Sequence, residues 1–204
     1  MSPRNKEVSQ EMRAQSRAAL IASARYLFAK TGYYHCRISD IAGQAKMSQG
    51  NVYWYFSSKE ELLKAVLADA FESLGTVMAQ AAAGPDPARQ KLERLVDNIL
   101  EYAHTSSEFT SIMLSLMGQG SDNMISRLGF DMNQIGLGYT QSVLSILNQG
   151  KAEGVIKPDI DPLAATMMFF GLFNGLNLTY GQNWLVLPPE TIKASIFRLF
   201  GMSA

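Results

Sequence analysis

The chain has 204 residues, 47% hydrophobic and 18% charged, so it can bury a core and is not disordered by composition. Eighteen basic residues balance eighteen acidic ones, yet residues 1–60 carry +5 and the remainder −5, which points the first third alone towards a polyanion. One cysteine (Cys36) and two histidines (His35 and His104) exclude a disulfide framework and a cysteine-based zinc site, and make a catalytic or metal cluster improbable, so neither cofactor nor metal is expected.

Residues 1–14 are polar, carry charges of both signs and read as a flexible basic arm. Met1–Glu7 lacks the apolar core of a secretory signal, so the expected location is the cytoplasm. A first helix follows, with Leu20, Ala24, Leu27 and Phe28 on one face, and stops at Gly32. Ile38, Ile41, Ala42 and Ala45 repeat that spacing in a short second helix. Ser48 is a good N-cap for a third, which turns Val52 and Phe56 inward. Ser58-Lys59-Glu60-Glu61 has the form of a capping box and opens a long helix carrying Leu63, Val66, Leu67, Ala70, Phe71 and Leu74. Gly84-Pro85-Asp86-Pro87 ends it.

Leu92, Leu95, Val96, Ile99 and Ala103 mark the next amphipathic helix, and Phe109, Ile112, Met113 and Leu116 a shorter one before a loop at Gly118–Ser121. A glycine-rich helical stretch runs from about Asp122 to Glu153 and ends at Gly154. Asp161-Pro162 opens another helix, and Pro188-Pro189 opens the last, whose stripe is Ile192, Ile196, Leu199 and Phe200. The fold class is all-α. Pro162 to Pro189 holds no charge, but its glycines, asparagines and glutamine suit a helix buried against a partner chain better than a membrane span.

Two short helices joined by a tight turn, the second capped by serine, form a helix-turn-helix. With Val52 and Phe56 facing inward, Gln49, Asn51, Tyr53, Trp54 and Tyr55 fall largely on other faces. Exposed rings beside amides are costly unless something binds them. Amides can read an adenine edge, and rings can pack on sugars or thymine methyls. Gly50 permits close backbone approach, and Lys59 adds charge at a helix N-terminus that can meet a phosphate.

The tract is similar to the recognition region of the TetR/AcrR family of bacterial transcriptional regulators. The matching residues are Asp40-Ile41-Ala42, Ala45, Ser48, Gly50, Tyr53, Tyr55-Phe56 and Ser58-Lys59-Glu60-Glu61-Leu62. Two positions depart from the family pattern. Cys36 stands where a threonine usually caps the second helix, leaving Arg37 or Ser39 to replace that phosphate contact. Lys46 stands where the turn usually has glycine, so it has to adopt the left-handed region, and it adds charge near the phosphate track. The DNA-binding set is therefore Arg37, Ser39, Lys46, Ser48, Gln49, Gly50, Asn51, Tyr53, Trp54, Tyr55 and Lys59. Cys36 also lies near a helix N-terminus, where thiolate character and redox sensing are conceivable.

The resemblance implies a three-helix DNA-binding domain over 15–60 and a larger helical ligand-binding and dimerisation domain over 61–204. Met and aromatic residues in the later helices suit an adaptable cavity for a small apolar or amphipathic ligand, although such stripes more often simply pack. The candidates are Tyr102, Phe109, Met113, Met117, Met124, Tyr139, Phe169, Phe173, Asn174 and Asn177; the two amides, if buried, need a polar network, a dimer contact or a ligand. Gly171 and Gly175 allow close approach of a second helix, so the last two helices are the expected homodimer contact, placing two heads on a palindromic operator in double-stranded DNA. The expected function is a ligand-released repressor. The rivals are an enzyme, for which no catalytic pair appears, and a dimeric protein-interaction adaptor that has lost DNA binding.

Overall fold

The computed structural model describes residues 3–105, 107–117, 124–180 and 183–202. The helices are α1 (Pro3–Thr31), α2 (Ile38–Gln44), α3 (Gln49–Tyr55), α4 (Lys59–Ala82), α5 (Ala88–Thr105), α6 (Ser107–Met117), α7 (Met124–Arg127), α8 (Met132–Ala152), α9 (Pro162–Tyr180) and α10 (Pro189–Leu199), with a 3-10 turn at Asn183–Val186. Among the described residues the only extended pairing is a bridge between Ile156 and Met202, so the chain is all-α. It divides into two compact units: residues 1–70 with 108–129, and residues 71–107 with 130–204. The second unit thus begins later than residue 61, and a separate segment around α6 and α7 joins the first.

In the first unit, Leu20, Ala24 and Phe28 of α1 are buried at helical spacing, and Gly32 ends the helix with φ +79. α2 packs on α1 and on α3. It contributes Ile38, Ile41 and Ala42, while Val52 and Phe56 close the core from the α3 side. α4 adds Leu62, Leu63, Val66 and Leu67, and α6 adds Ile112 and Leu116. Arg25 ties α1 to both later helices through Asp69 at 3.2 Å and Glu108 at 2.9 Å. The segment read as an arm is corrected: α1 is helical from Pro3 onwards. Its polar residues are good helix formers (Lys, Glu, Gln, Met, Arg, Ala), with no glycine or proline after Pro3 to stop them.

In the second unit, Leu92, Leu95 and Val96 of α5, Val143, Ile146 and Leu147 of α8, Phe169 and Phe173 of α9 and Ile192, Ile196 and Phe200 of α10 share one core. The stretch expected to be continuous towards Glu153 is interrupted. Gly129 takes φ +85, and the Asp131 carboxylate starts α8 by accepting from the amides of Asn133 and Gln134 at 2.9 and 3.2 Å. Residues 118–123, including the loop expected at Gly118–Ser121, lie outside the described residues. The Glu153 carboxylate accepts from the Ala88 amide at 2.8 Å and so caps α5 from the far end of α8. No helix among the described residues is long and apolar enough to cross a membrane.

Candidate nucleic-acid interface

The turn between α2 and α3 is built by backbone hydrogen bonds. The Met47 amide donates to the Ala42 carbonyl at 2.9 Å and the Lys46 amide to Gly43 at 3.1 Å, the paired bonds of a Schellman C-cap. That cap needs a left-handed residue at Lys46, whose φ is 55; a side chain there costs about 1–2 kcal/mol relative to a right-handed position. Ser48 then starts α3 by accepting the Asn51 amide on Oγ at 3.2 Å. α4 is opened by a variant of the expected box. Ser58 Oγ accepts the Glu61 amide at 3.1 Å, while the Glu61 carboxylate reaches back to the Ser57 amide at 2.6 Å rather than to Ser58.

With Val52 and Phe56 buried, the rest of α3 is presented outward. Gln49, Gly50 and Asn51 are exposed, Tyr53 is 50% exposed and Trp54 61% exposed. Rings with that exposure do not brace the core. Tyr55 is half-buried and meets the Trp54 ring edge-on at 4.6 Å, which makes it a support for its neighbour. A Cβ on Gly50 would meet only Ser48 Oγ, at 3.8 Å, so the glycine leaves open space over the helix. Arg37, Ser39, Lys46 and Ser48 are also exposed.

Three details depart from the sequence reading. The N-cap of α2 is Arg37 rather than Cys36, and its amide donates to the Asp40 carboxylate at 3.2 Å. Cys36 is buried, with Sγ 3.8 Å from the Arg37 carbonyl. Burial pushes its thiol up, outweighing the pull of Lys59, which works against the thiolate character that a helix N-terminus favours. Lys59, expected at a phosphate, gives its ammonium to the Cys36 and Tyr34 carbonyls at 2.7 and 3.4 Å and sits 4.4 Å from the centre of the Tyr33 ring. Burial lowers its pKa and Cys36 works against that fall. It clasps the loop between α1 and α2.

Sequence reasoning missed Arg13 and Arg17. Their guanidinium carbons lie 5.0 Å from the Trp54 ring centre and 5.2 Å from that of Phe56. The available signal was their spacing, four apart and in step with Leu20 and Ala24, which the polar character of the segment obscured.

The ligand candidates fall into different surroundings. In the first unit Phe109 and Met113 are half-buried and Met124 is buried; the Met117 side chain lies outside what the structure describes. In the second unit Tyr102 and Tyr139 are half-buried and near enough for their charges to interact. Tyr139 donates its hydroxyl to the Phe71 carbonyl at 2.8 Å, and its ring lies where a Cβ on Gly75 would come within 3.5 Å. Burial, then Tyr102, pushes its phenol up to about 12. Phe169 is fully buried among Phe170, Phe173 and Phe200, at 5.6, 4.9 and 5.5 Å between ring centres, and acts as core with Phe173. Asn174 is exposed, so the buried-amide argument does not hold for it. Asn177 is half-buried and donates Nδ2 to the Phe173 carbonyl at 2.9 Å, one turn back.

α9 has a second face. Leu163, Met167, Gly171, Asn174, Gly175 and Leu178 recur at helical spacing and are all exposed, with open space around both glycines. On α10 the stripe of Ile192, Ile196 and Phe200, expected across the two-fold axis, is instead turned into its own core. The opposite side, with Thr191, Ala194, Ser195 and Arg198, is the exposed one.

Residues 20–66 match the model of the family described as bacterial regulatory proteins, tetR family. The chain is 27% identical over 203 residues to the HTH-type transcriptional regulator TtgR of Pseudomonas putida, covering 92% of this chain and 87% of that protein. It is 24% identical over 164 residues to the fatty acid metabolism regulator protein of Bacillus subtilis, covering 80% and 82%. A crystal structure of a tetR-family regulatory protein from Rhodococcus RHA1 shares the fold at a TM-score of 0.70, with 22% identity and coverage of 93% and 98%.

Proposed function

We propose that this chain, a member of the tetR family of bacterial regulatory proteins, is a repressor, released from a palindromic operator by a small, mainly apolar ligand. As a member it is a DNA-binding transcriptional regulator and not an enzyme; binding of small molecules and dimerisation are typical of the family. The observation that carries the reading is the outward face of α3. Tyr53 and Trp54 stand exposed beside Gln49 and Asn51, with Arg37, Lys46 and Ser48 exposed on the preceding segments. Amides and rings read base edges, and the cations hold the backbone.

The rest of the mechanism follows from this face. Two copies pair through the exposed side of α9 and the Ala194–Ser195 side of α10, which sets two copies of α3 in successive major grooves. The ligand binds in the second unit near Tyr102 and Tyr139. The relative named for fatty acid metabolism agrees with an apolar choice. Ligand binding moves α4, which belongs to the head at one end and to the second unit at the other, and the head spacing then misfits the operator. Only a difference in ligand affinity between the two spacings can drive that release. The protein works in the cytoplasm.

The test is selection of duplexes from a random pool by the full chain, followed by affinity measurements across salt concentration. An enriched palindrome and a clear negative salt slope are expected. No enrichment with a slope near zero would favour an adaptor instead.

A further inference from the structure

The stripe of α1 that faces the core does not end at Leu20. Counting back through Ala24 and Leu20 at helical spacing leads to Arg17 and then Arg13, all on one continuous helix from Pro3 to Thr31. Where the apolar stripe stops, the two arginines meet the rings of Phe56 and Trp54 at 5.2 and 5.0 Å. Arg13 is thus carried by an element rooted in the core, while Trp54 sits on a seven-residue helix with its indole 61% exposed.

An exposed indole samples several rotamers, and fixing one on binding costs entropy. A planar, weakly hydrated guanidinium stacked on one face removes part of that cost beforehand. We propose that Arg13 is a positioning residue for DNA recognition: it holds the Trp54 ring on one face so that the remaining face and edge are set for the groove. This rests on the reading of α3 as the DNA-contacting helix. A plain phosphate contact by Arg13 is the competing account. It differs in three respects, because a phosphate accepts lysine, acts alike on every sequence and does not depend on Trp54.

The experiment uses the full-length protein and a duplex selected by it from random DNA. The variants are Arg13→Ala, Arg13→Lys, Trp54→Ala and the Arg13→Ala/Trp54→Ala double, with salt titrations and single base-pair changes in the duplex. Arg13→Ala is expected to weaken binding about two- to fivefold per head, hence about four- to twenty-five-fold for two. Lysine is expected not to rescue, the double variant to bind no worse than Trp54→Ala, and the loss to concentrate at particular base pairs. The proposal is overturned if the two losses multiply, if Arg13→Lys restores binding, if the loss is uniform with a shallower salt slope, or if Trp54→Ala binds normally. If no duplex is selected, the DNA-binding reading itself has failed. Independently of DNA, Trp54 can be followed in a Trp184→Phe background: easier acrylamide quenching after Arg13→Ala supports the hold of Arg13 on the ring, and unchanged quenching overturns the proposal.

Discussion

Helices α3 and α9 both leave large apolar side chains in water, and they do so with opposite chemistry. α3 is seven residues long and shows Tyr53 and Trp54 among Gln49 and Asn51, with Arg13, Arg37 and Lys46 exposed in the same unit. α9 is nineteen residues long and shows Leu163, Met167 and Leu178 around two open glycines, with no charge along its length. Exposure alone does not say what covers a surface. Flat amphipathic rings beside amides and cations suit a polyanion with readable edges. Aliphatic and small side chains without charge suit another protein surface, which in the proposed dimer is a second copy of the same helix.

The largest effect should come from charging the second surface. Met167→Asp places a carboxylate on the proposed two-fold contact from both copies, and burying unpaired charge costs about 3–5 kcal/mol. Sedimentation should show monomers at concentrations where the parent is dimeric, and operator affinity should fall with it. A Met167→Asp protein that stays dimeric and binds normally would break the contrast between the two helices. Next in size is Gln49→Ala or Asn51→Ala. Each is expected to lose about 1–3 kcal/mol per head against the preferred base. Thermal stability should change by no more than about 0.5 kcal/mol, because these are surface positions. Band-shift titration against the selected operator, with calorimetry alongside, separates the two.

The helix-turn-helix was legible because its signals are local. The capping serine, the inward pair Val52 and Phe56 and the strained lysine of the turn all lie within one short tract, and each constrains the backbone directly. What a sequence does not show is which of two apolar stripes faces its own core. On α9 and α10 that choice depends on neighbours far along the chain, and Ile192 and Ile196 went inside while Met167 stayed out. The helical start of the chain was hidden differently. Polarity suggests mobility, although Glu, Lys, Arg and Gln are good helix formers. The partners of Lys59 are not legible either, because a lysine at a helix start can satisfy carbonyls of an adjacent loop as readily as a phosphate.

Each unit also holds a tyrosine whose phenol is pushed up to about 12, Tyr33 in the first and Tyr139 in the second, which allows the two to be probed separately. For Tyr33 the causes are burial and then Glu60; for Tyr139 they are burial and then Tyr102. Below pH 10 both folded and unfolded chains keep these protons, so the contribution to stability is constant. Between pH 10 and 12 the unfolded chain loses its protons first, and stability falls as pH rises. Tyr33→Phe and Tyr139→Phe should each flatten that alkaline fall, the first in probes of the DNA-binding unit and the second in probes of the other. Denaturant titrations at several alkaline pH values give the slopes; an unchanged slope in either variant means the phenol is not held as described.

The smallest expected change sharpens the contrast most, because stability and function should move in opposite directions. Lys46 holds φ 55 to complete the C-cap of α2, a conformation glycine adopts without the side-chain penalty. Lys46→Gly should therefore stabilise the first unit, by about 1 kcal/mol after allowance for the greater freedom of glycine in the unfolded chain. Its Tm should rise by a few degrees, on the order of 4 °C. The same change removes an exposed cation beside α3. If that cation meets a phosphate, the salt dependence of operator binding should become shallower by about one charge per head. A variant that is more stable and binds as before would leave Lys46 a strained residue with no return in binding. One that is less stable would mean that the turn is held by something other than its backbone cap.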